Sequence, residues 1–286
     1  MKVVISGSNG YIASKLIAEL ETKNIEIVRL KREFLVDVDQ LISLISGSDV
    51  VINLAGAPIF TRWTAKNRNE ILVSRVQSTK NIVEAINTLA PQYRPKLLIS
   101  ASAIGIYEPN HIQTEENNTL AKDFVATVVK SWEQPTENLS ANVRKVIFRI
   151  GLVLGKNAKT IQNLLPLFRL GLGGKLGSGK QPFPFIHIDD VTEAILWSIS
   201  NPKANGVYNL VAPQSINNTQ FTKAFAKAVN QPAFFTVPAF ALKAILGETS
   251  SLLLQSAQVY PERLINQGFT FNYPDIESCL SQIIKK

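Results

Sequence analysis

The fold is decided by residues 3–13, which read Val3-Val4-Ile5-Ser6-Gly7-Ser8-Asn9-Gly10-Tyr11-Ile12-Ala13. The first three residues are apolar and β-branched, which indicates a buried strand. Gly7 and Gly10 then interrupt this pattern, and apolar residues recur at helical spacing from Ile12 to Leu20. The stretch therefore predicts a strand, a tight glycine turn and a helix in immediate succession.

This glycine turn has the chemistry that a bound pyrophosphate requires. Gly7 can adopt the backbone angles that lead a strand directly into a helix. Gly10 has no side chain, so a phosphate can approach its backbone, and the small Ala13 lets the helix pack close to the sheet. The free N–H groups at the helix N-terminus favour an anion. The alternative is a glycine turn without a ligand. The expected cofactor contacts are Gly7, Ser8, Asn9, Gly10, Tyr11 and Ile12.

The composition limits the class of protein. The chain has 286 residues, of which 45% are hydrophobic and 18% charged, enough for one large domain or one domain with a smaller lobe. Because it contains no apolar run of about 18 residues, we expect no membrane span. The N-terminus has the pattern of a buried strand rather than a signal peptide. The single cysteine, Cys279, cannot form an internal disulfide and suits a reducing cytoplasm.

Charge and metal-ligating residues narrow the partners. The net charge is +8, but lysine and arginine are scattered, so we expect no nucleic-acid partner. The two histidines and one cysteine lie far apart in sequence, and we expect no metal site. These features predict a cytoplasmic monomer or homodimer that binds a small-molecule substrate.

The end of the second predicted strand, residues 25–30, indicates which dinucleotide binds. In a dinucleotide-binding fold this strand end faces the adenosine ribose, where an acidic residue binds the 2′-hydroxyl of NAD and a basic residue favours NADP. Lys31 and Arg32 occupy this position, and a guanidinium suits phosphate geometry. We therefore predict NADP(H) as the cofactor, against the alternative that both side chains only cap a solvated loop.

The rest of the N-terminal half alternates between strands and helices. Further strands are predicted at 34–36, at 49–58, where the strand runs into a loop of small residues, at 96–102 and at 143–151. Helices are predicted at 65–88 and 120–140. This alternation predicts an α/β fold with a Rossmann-like, doubly wound parallel sheet, whose ligands bind beyond the carboxyl ends of the strands. Further cofactor contacts are expected at these strand ends, from Asp37, Leu54, Ala55 and Gly56.

The composition changes after residue 155. Residues 170–179 are dense in glycine, and prolines separate apolar helical stretches beyond residue 230. We predict a dinucleotide-binding domain over residues 1–155 and a smaller C-terminal substrate lobe, or lid, over residues 156–286. An alternative for residues 185–211 is that they return to the central sheet.

Taken together, the chain resembles the extended short-chain dehydrogenases/reductases, the NAD-dependent epimerase/dehydratase superfamily. The shared segments are residues 6–13, 49–56, 99–102, 149–155 and 185–190. It is similar more narrowly to an atypical subgroup, the epimerase family proteins, often labelled nucleoside-diphosphate-sugar epimerases or SulA-like cell-division inhibitors. The subgroup segments are residues 62–64, 74–76, 100–107, 131–133, 171–179, 238–240, 246–248 and 261–271. The resemblance implies a Rossmann-like domain that binds NADP(H).

One departure from the superfamily concerns the residues that carry its chemistry. In that superfamily a Ser, a Tyr and a Lys act together, with the Tyr and Lys four residues apart on one helix. The corresponding helix of this chain contains no tyrosine, since Phe124 takes the position of the Tyr and Val128 that of the Lys. Ser102 is retained. The usual proton relay therefore cannot be carried over.

Other residues are candidates for the missing roles. We expect Ser102 to be catalytic, with Tyr107 as a substitute acid because it follows Ser102 closely; the alternative for Tyr107 is packing or substrate contact. Glu133 and His187 are further acid/base candidates, with structural or cleft-lining roles as the alternative. Arg75 stands where the superfamily usually has Asn, on the helix facing the cofactor, and is expected to contact phosphate or substrate.

Two functions remain open on the sequence. The first is an NADP(H)-binding oxidoreductase or epimerase-like enzyme that transfers a hydride to or from a small or nucleotide-linked substrate. The second is a non-catalytic NADP(H) sensor or interaction module. We expect the substrate to lie between residues 102–107 on the sheet and a lobe carrying residues 171–179 and 238–248, which would exclude water and move as a lid.

Overall fold

The structure, a computed structural model, describes residues 1–109 and 111–284. The strands are β1 (Lys2–Ser6), β2 (Glu26–Leu30), β3 (Val50–Asn53), β4 (Leu97–Ala103), β5 (Ile112–Gln113), β6 (Arg144–Ile150), β7 (Leu152–Leu154), β8 (Gly174–Leu176), β9 (Phe185–His187), β10 (Gly206–Leu210), β11 (Phe235–Val237) and β12 (Gln258–Val259). The helices are α1 (Tyr11–Glu21), α2 (Val38–Ile45), α3 (Ala65–Thr88), α4 (Phe124–Glu133), α5 (Lys159–Arg169), α6 (Ile188–Ser200), α7 (Asn218–Ala228), α8 (Ala239–Leu246), α9 (Ser251–Leu254), α10 (Glu262–Asn266) and α11 (Ile276–Ile284).

The central layer is a parallel sheet of six strands in the order β10-β6-β4-β3-β1-β2. Its inner strands β1, β3 and β4 are buried on both faces, which explains why their sequences are nearly continuous apolar runs. Ser6 pairs with Asn53, and Asn53 with Ser100, so the carboxyl ends of these strands meet at one edge. The predicted Rossmann-like parallel sheet is confirmed.

Helices cover both faces of the sheet. Because successive side chains of a strand point to opposite faces, Val3 packs with Leu16 of α1 and Val191 of α6, whereas Val4 packs with Leu41 of α2 and Ile82 of α3. The helix predicted at 65–88 has these same bounds in the structure. The doubly wound arrangement thus follows from the alternation within the strands.

The C-terminal part returns to the sheet and also builds its own core. Strand β10 pairs with β6, so residues 206–210 lie in the central sheet. A separate apolar cluster joins α5, α7 and α11, with Phe168, Phe225 and Leu280 among its buried members. The division into domains at residue 155 stays a prediction. Among the described residues, no helix has the length and apolar character needed to cross a membrane.

Two predicted elements differ from the structure. Residues 34–36, predicted as a third strand, belong to a 3-10 turn over Arg32–Val36, because Asp37 starts α2 immediately by accepting a hydrogen bond from the Gln40 N–H at 3.1 Å. The helix predicted at 120–140 begins only at Phe124. Asp123 caps it by accepting from the Ala126 N–H at 2.9 Å, and the α-helix gives way to a 3-10 turn at Gln134–Asn138.

Candidate functional site at the carboxyl edge of the sheet

The turn between β1 and α1 is closed by its two glycines. Gly7 has a φ of +67°, and a Cβ atom there would lie 2.6 Å from the carbonyl oxygen of Leu54, so only glycine fits. The Gly10 N–H donates to the Gly7 carbonyl at 2.8 Å. Within the described chain no side chain caps the start of α1, so its first N–H groups point to the edge of the sheet. The turn therefore offers backbone donors to an anion.

The loop after β3 is held against this turn by a buried hydrogen-bond network. Ser6 donates its hydroxyl to Asn53 Oδ1 at 2.6 Å and accepts from the Leu54 N–H at 3.1 Å. Asn53 in turn donates from Nδ2 to the Thr79 hydroxyl of α3 at 2.9 Å. This network fixes Leu54 and Ala55, both predicted cofactor contacts, beside Gly7. The sequence analysis did not predict this network, although the polar residues at the ends of two buried strands indicated it.

The residues predicted to select the cofactor lie on the surface beyond β2. The Arg32 side chain is 80% exposed and donates to Glu70 at 3.0 Å. An exposed ion pair of this kind contributes about 0–1 kcal/mol, so Arg32 can exchange Glu70 for a phosphate at little cost. Lys31 is also exposed, with its ammonium 5.7 Å from the centre of the Phe34 ring. Asp37, an expected cofactor contact, caps α2.

Ser102 and Tyr107 are linked through one buried ion pair. Ser102 of β4 donates its hydroxyl to Glu133 Oε1 at 2.5 Å. Arg149 of β6 holds both oxygens of that carboxylate, with Nε at 2.9 Å and Nη2 at 2.8 Å. Its Nη1 donates to the Tyr107 hydroxyl at 2.8 Å, and that hydroxyl donates to Asn209 Oδ1 at 2.7 Å. Five polar residues thus form one connected network behind the edge of the sheet.

Tyr107 is poorly placed to act as a substitute acid. Its hydroxyl already donates to Asn209 and accepts from Arg149. Burial raises its pKa, an effect that Arg149 opposes, and a phenol with a raised pKa gives up its proton less readily. The geometry favours a positioning role for Tyr107 and leaves Ser102 and Glu133 as the polar pair at the end of β4.

His187 belongs to a different part of the molecule. Its Nδ1 accepts from the Asp189 N–H at 3.2 Å, which caps α6, and its Nε2 lies 3.0 Å from Gln282 Oε1. Burial lowers the pKa of His187, which keeps the ring neutral. Both ring nitrogens are therefore engaged in the structural role that the sequence left open. Over residues 1–109 and 111–284, no group of three or more acidic, histidine or cysteine side chains could hold a metal ion.

One face of α4 carries Phe124, Val128 and Trp132, which are spaced by four residues, and two arginines of α3 lie against it. The Arg68 guanidinium lies 4.4 Å from the centre of the Phe124 ring, and that of Arg75 lies 5.0 Å from the centre of the Trp132 ring. The α4 residues of this face hold no acid or base, as the sequence predicted for Phe124 and Val128. Positive charge reaches this face from α3 instead.

A cavity of about 530 Å³ lies between this region and the C-terminal part. Trp63, Arg68 and Phe124 line one side, and Lys243 and Glu248 are among the residues of the other. An ion pair between Arg68 and Glu248 spans the two sides.

Lys243, Gly247 and Glu248 line this cavity, whereas its lining includes neither residues 102–107 nor residues 171–179, so the position of the substrate stays a prediction. Residues 171–179 are organised differently from a free glycine loop. Residues 174–176 form β8, which pairs in parallel with β11, and the Gly177 N–H donates to the Val237 carbonyl at 2.8 Å. This pairing ties the glycine-rich segment to the strand that precedes α8.

Comparison with known proteins identifies the family. Residues 3–211 match the model of the NAD-dependent epimerase/dehydratase family. The chain belongs to this family. Residues 237–283 of this family member match a second model, a domain of unknown function (DUF1731).

Full-length relatives agree with this assignment. The epimerase family protein SDR39U1 homolog, chloroplastic, of Arabidopsis thaliana is 33% identical over 100% of this chain and 87% of its own length. An epimerase family protein of Staphylococcus haemolyticus is 34% identical, with 98% of each chain covered. The crystal structure of human epimerase family protein SDR39U1 (isoform 2) with NADPH has a TM-score of 0.92 and 30% identity, with 99% of each chain covered. The predicted family is confirmed.

Proposed function

We propose that this epimerase family member binds NADP(H) along the carboxyl edge of the sheet and acts as an oxidoreductase or epimerase-like enzyme on a small or nucleotide-linked substrate. The observation that carries the proposal is the turn from Gly7 to Gly10, which leaves the first N–H groups of α1 open to a pyrophosphate. The NADPH found in the human relative supports the same cofactor here.

The residues at this edge fit a dinucleotide. Residues 7–12 would hold the pyrophosphate, and Leu54, Ala55 and Gly56 would border the rest of the cofactor. Lys31 and Arg32 would contact the 2′-phosphate, since both are exposed at the end of β2 and tied only by weak surface ion pairs. Asp37 would lie near the adenine. When bound, the cofactor would supply or accept a hydride.

Proton transfer in this enzyme would have to proceed without a tyrosine on α4. Because the Ser102 hydroxyl donates to Glu133, its oxygen is the atom that can accept a hydrogen bond from a substrate hydroxyl. A proton taken up there can pass along the short hydrogen bond to the carboxylate. Arg149 fixes that carboxylate through both oxygens, and Tyr107 and Asn209 hold Arg149 from behind. We assign Ser102 and Glu133 this role and Tyr107 the positioning of Arg149.

A second candidate function is a non-catalytic NADP(H) sensor or interaction module. The observation that favours it is the α4 face with Phe124 and Val128, which has no titratable group, together with the fully engaged hydroxyl of Tyr107. Both functions require cofactor binding, but only the first requires turnover.

Cofactor turnover separates the two candidates. We would incubate the protein with NADPH and a panel of carbonyl compounds, and with NADP⁺ and a panel of alcohols and sugar nucleotides, and follow absorbance of the reduced nicotinamide. The enzyme proposal expects turnover that Ser102→Ala abolishes while NADPH affinity stays at the wild-type value. Absence of turnover in a protein that binds NADPH would favour the sensor. Turnover that survives Ser102→Ala would refute the assigned role of Ser102.

A further inference from the structure

Arg75, near the middle of α3, has a guanidinium enclosed between a loop and a ring. On one side lies Gly56, where an added Cβ atom would come within 3.0 Å of Cζ and 3.2 Å of Nε and Nη2. On the other side lies Trp132, whose ring centre is 5.0 Å from Cζ. The neighbouring Ser74 hydroxyl accepts from the Ala57 N–H at 3.0 Å and fixes the loop at this point. The absence of a side chain at Gly56 creates the space that the guanidinium fills.

Within the described chain, Arg75 uses few of its hydrogen-bond donors and has no partner of opposite charge. A guanidinium has five N–H donors, and within the described chain Arg75 uses one, from Nη1 to the Ile71 carbonyl at 3.0 Å. No carboxylate of the described residues forms an ion pair with it, whereas Arg149 is paired with Glu133 and Arg68 with Glu248. Burial lowers the pKa of Arg75 to about 10, as expected for a desolvated cation without a counter-ion.

Trp132 supplies a buried donor at the same place. The side chain is buried, and its indole Nε1–H has no acceptor among residues 1–109 and 111–284. Buried donors are paired in most proteins, so each exception asks for an explanation. A buried donor without an acceptor and a guanidinium without a carboxylate partner among the described residues, on side chains that contact each other, indicate one missing acceptor group.

We propose that Arg75 and Trp132 form a binding site for an anionic oxygen, carboxylate or phosphoryl, of a small molecule held at the carboxyl edge of the sheet beside Gly56. The ligand must be an acceptor because both groups only donate, and it must be negative because no carboxylate of the described residues pairs with Arg75. The inference rests on the proposed function for the position of the ligand, since Gly56 lies in the loop that would border the cofactor. The oxygen belongs either to the cofactor or to the substrate.

The competing explanation is that Arg75 only stacks on Trp132. Arg68 provides the matched control, because it belongs to the same helix and also lies over an aromatic ring, that of Phe124, but has Glu248 as its counter-ion. Trp132→Phe keeps an aromatic ring beneath the guanidinium and removes only the N–H donor. Arg75→Lys keeps the positive charge without the fork of donors.

Calorimetric titrations with three probes test the site and identify the source of the oxygen. The probes are NADPH, adenosine 2′,5′-bisphosphate, which lacks the nicotinamide half, and malonate added to the protein with and without NADPH. Arg75→Gln should weaken one ligand by about tenfold or more, since a charge-assisted hydrogen bond is lost. If Arg75→Gln weakens the binding of NADPH and leaves that of the bisphosphate unchanged, the oxygen belongs to the nicotinamide half of the cofactor. If the substitution weakens the binding of malonate and leaves that of NADPH unchanged, the oxygen belongs to the substrate.

The controls should separate a site from a stacking contact. Trp132→Phe should weaken the same ligand by about two- to tenfold, the range for one neutral hydrogen bond, and Arg75→Lys less than Arg75→Gln. The proposal is overturned if Arg75→Gln, shown by melting to be folded, binds all three probes like the wild type, or if Arg68→Gln gives the same loss. Failure of the wild type to bind NADPH would refute the proposed function instead, and malonate binding to the cofactor-free protein would still test Arg75.

Discussion

Replacing Gly7 with Ala should lower both the free energy of unfolding and the affinity for NADPH. With φ at +67°, any L-residue at this position is left-handed, which costs roughly 1–2 kcal/mol. The new Cβ would also lie 2.6 Å from the Leu54 carbonyl oxygen, so the loop after β3 must move. Overpacking of this kind costs about 1–3 kcal/mol, which brings the expected total to about 2–5 kcal/mol. Because Leu54 and Ala55 are proposed cofactor contacts, the same movement should weaken NADPH.

Gly47 provides the matched control for this substitution. Its φ is +68°, but an added Cβ would meet nothing within 4 Å, so Gly47→Ala should cost only the roughly 1–2 kcal/mol of the left-handed backbone. Urea denaturation of both variants measures the two losses, and NADPH fluorescence measures the affinities. Equal destabilisation by the two substitutions, or wild-type NADPH affinity in a folded Gly7→Ala variant, would refute the reasoning.

Three further predictions concern charged groups. Glu133→Gln should lower the free energy of unfolding by about 3–5 kcal/mol in urea denaturation, because Arg149, whose side chain is 11% exposed, loses its counter-ion. Glu137→Gln, at an exposed position, should change the free energy of unfolding by less than about 0.5 kcal/mol. A similarly small loss for Glu133→Gln would contradict the buried ion pair. Arg32→Asp should weaken the binding of NADPH by about tenfold or more and leave the binding of NADH unchanged. Arg29→Asp, which removes an exposed ion pair of β2, should change neither affinity. Equal losses for the two cofactors would show that Arg32 does not contact the 2′-phosphate. Burial lowers the pKa of His187 below its ordinary 6.5 despite nearby Asp189, so the unfolded chain is protonated first and stability should fall as the pH drops through that value. His187→Asn, which can still cap α6, should flatten this fall between pH 7 and pH 5 in thermal melts, and an unchanged slope would assign the titration to another group.

The fold could be predicted where the signal is local. The strand, glycine turn and helix of residues 3–13 are specified by neighbouring residues, and the apolar spacing of residues 65–88 gave the bounds of α3. The prediction of a strand at residues 34–36 is wrong because three apolar residues fit a strand as well as a 3-10 turn in which only Leu35 is buried. What decides between them is the Asp37 cap and the absence of a pairing partner in the described part of the chain, and pairing depends on distant segments.

The candidate site, too, could be predicted only where its residues are close in sequence. The glycine turn, Lys31 and Arg32 could be read from their order along the chain, and the sequence also showed that α4 lacks its tyrosine. The network around Glu133 could not be predicted, because Ser102 meets Arg149 only through the register of β4 against β6. The available signal was Arg149, a charged residue between the apolar Phe148 and Ile150 of β6. The unpaired state of Arg75 likewise emerges only when α3, α4 and the loop at Gly56 are brought together.

The central claim is that this edge of the sheet binds NADP(H) in preference to NAD(H). The most direct test is calorimetric titration of the wild-type protein with NADPH and with NADH under the same buffer and salt. The structure predicts one site per chain, with NADPH bound at least about tenfold more tightly because only NADPH offers a 2′-phosphate to Arg32 and Lys31. Equal affinity for the two cofactors, or no measurable binding of NADPH, would contradict the account.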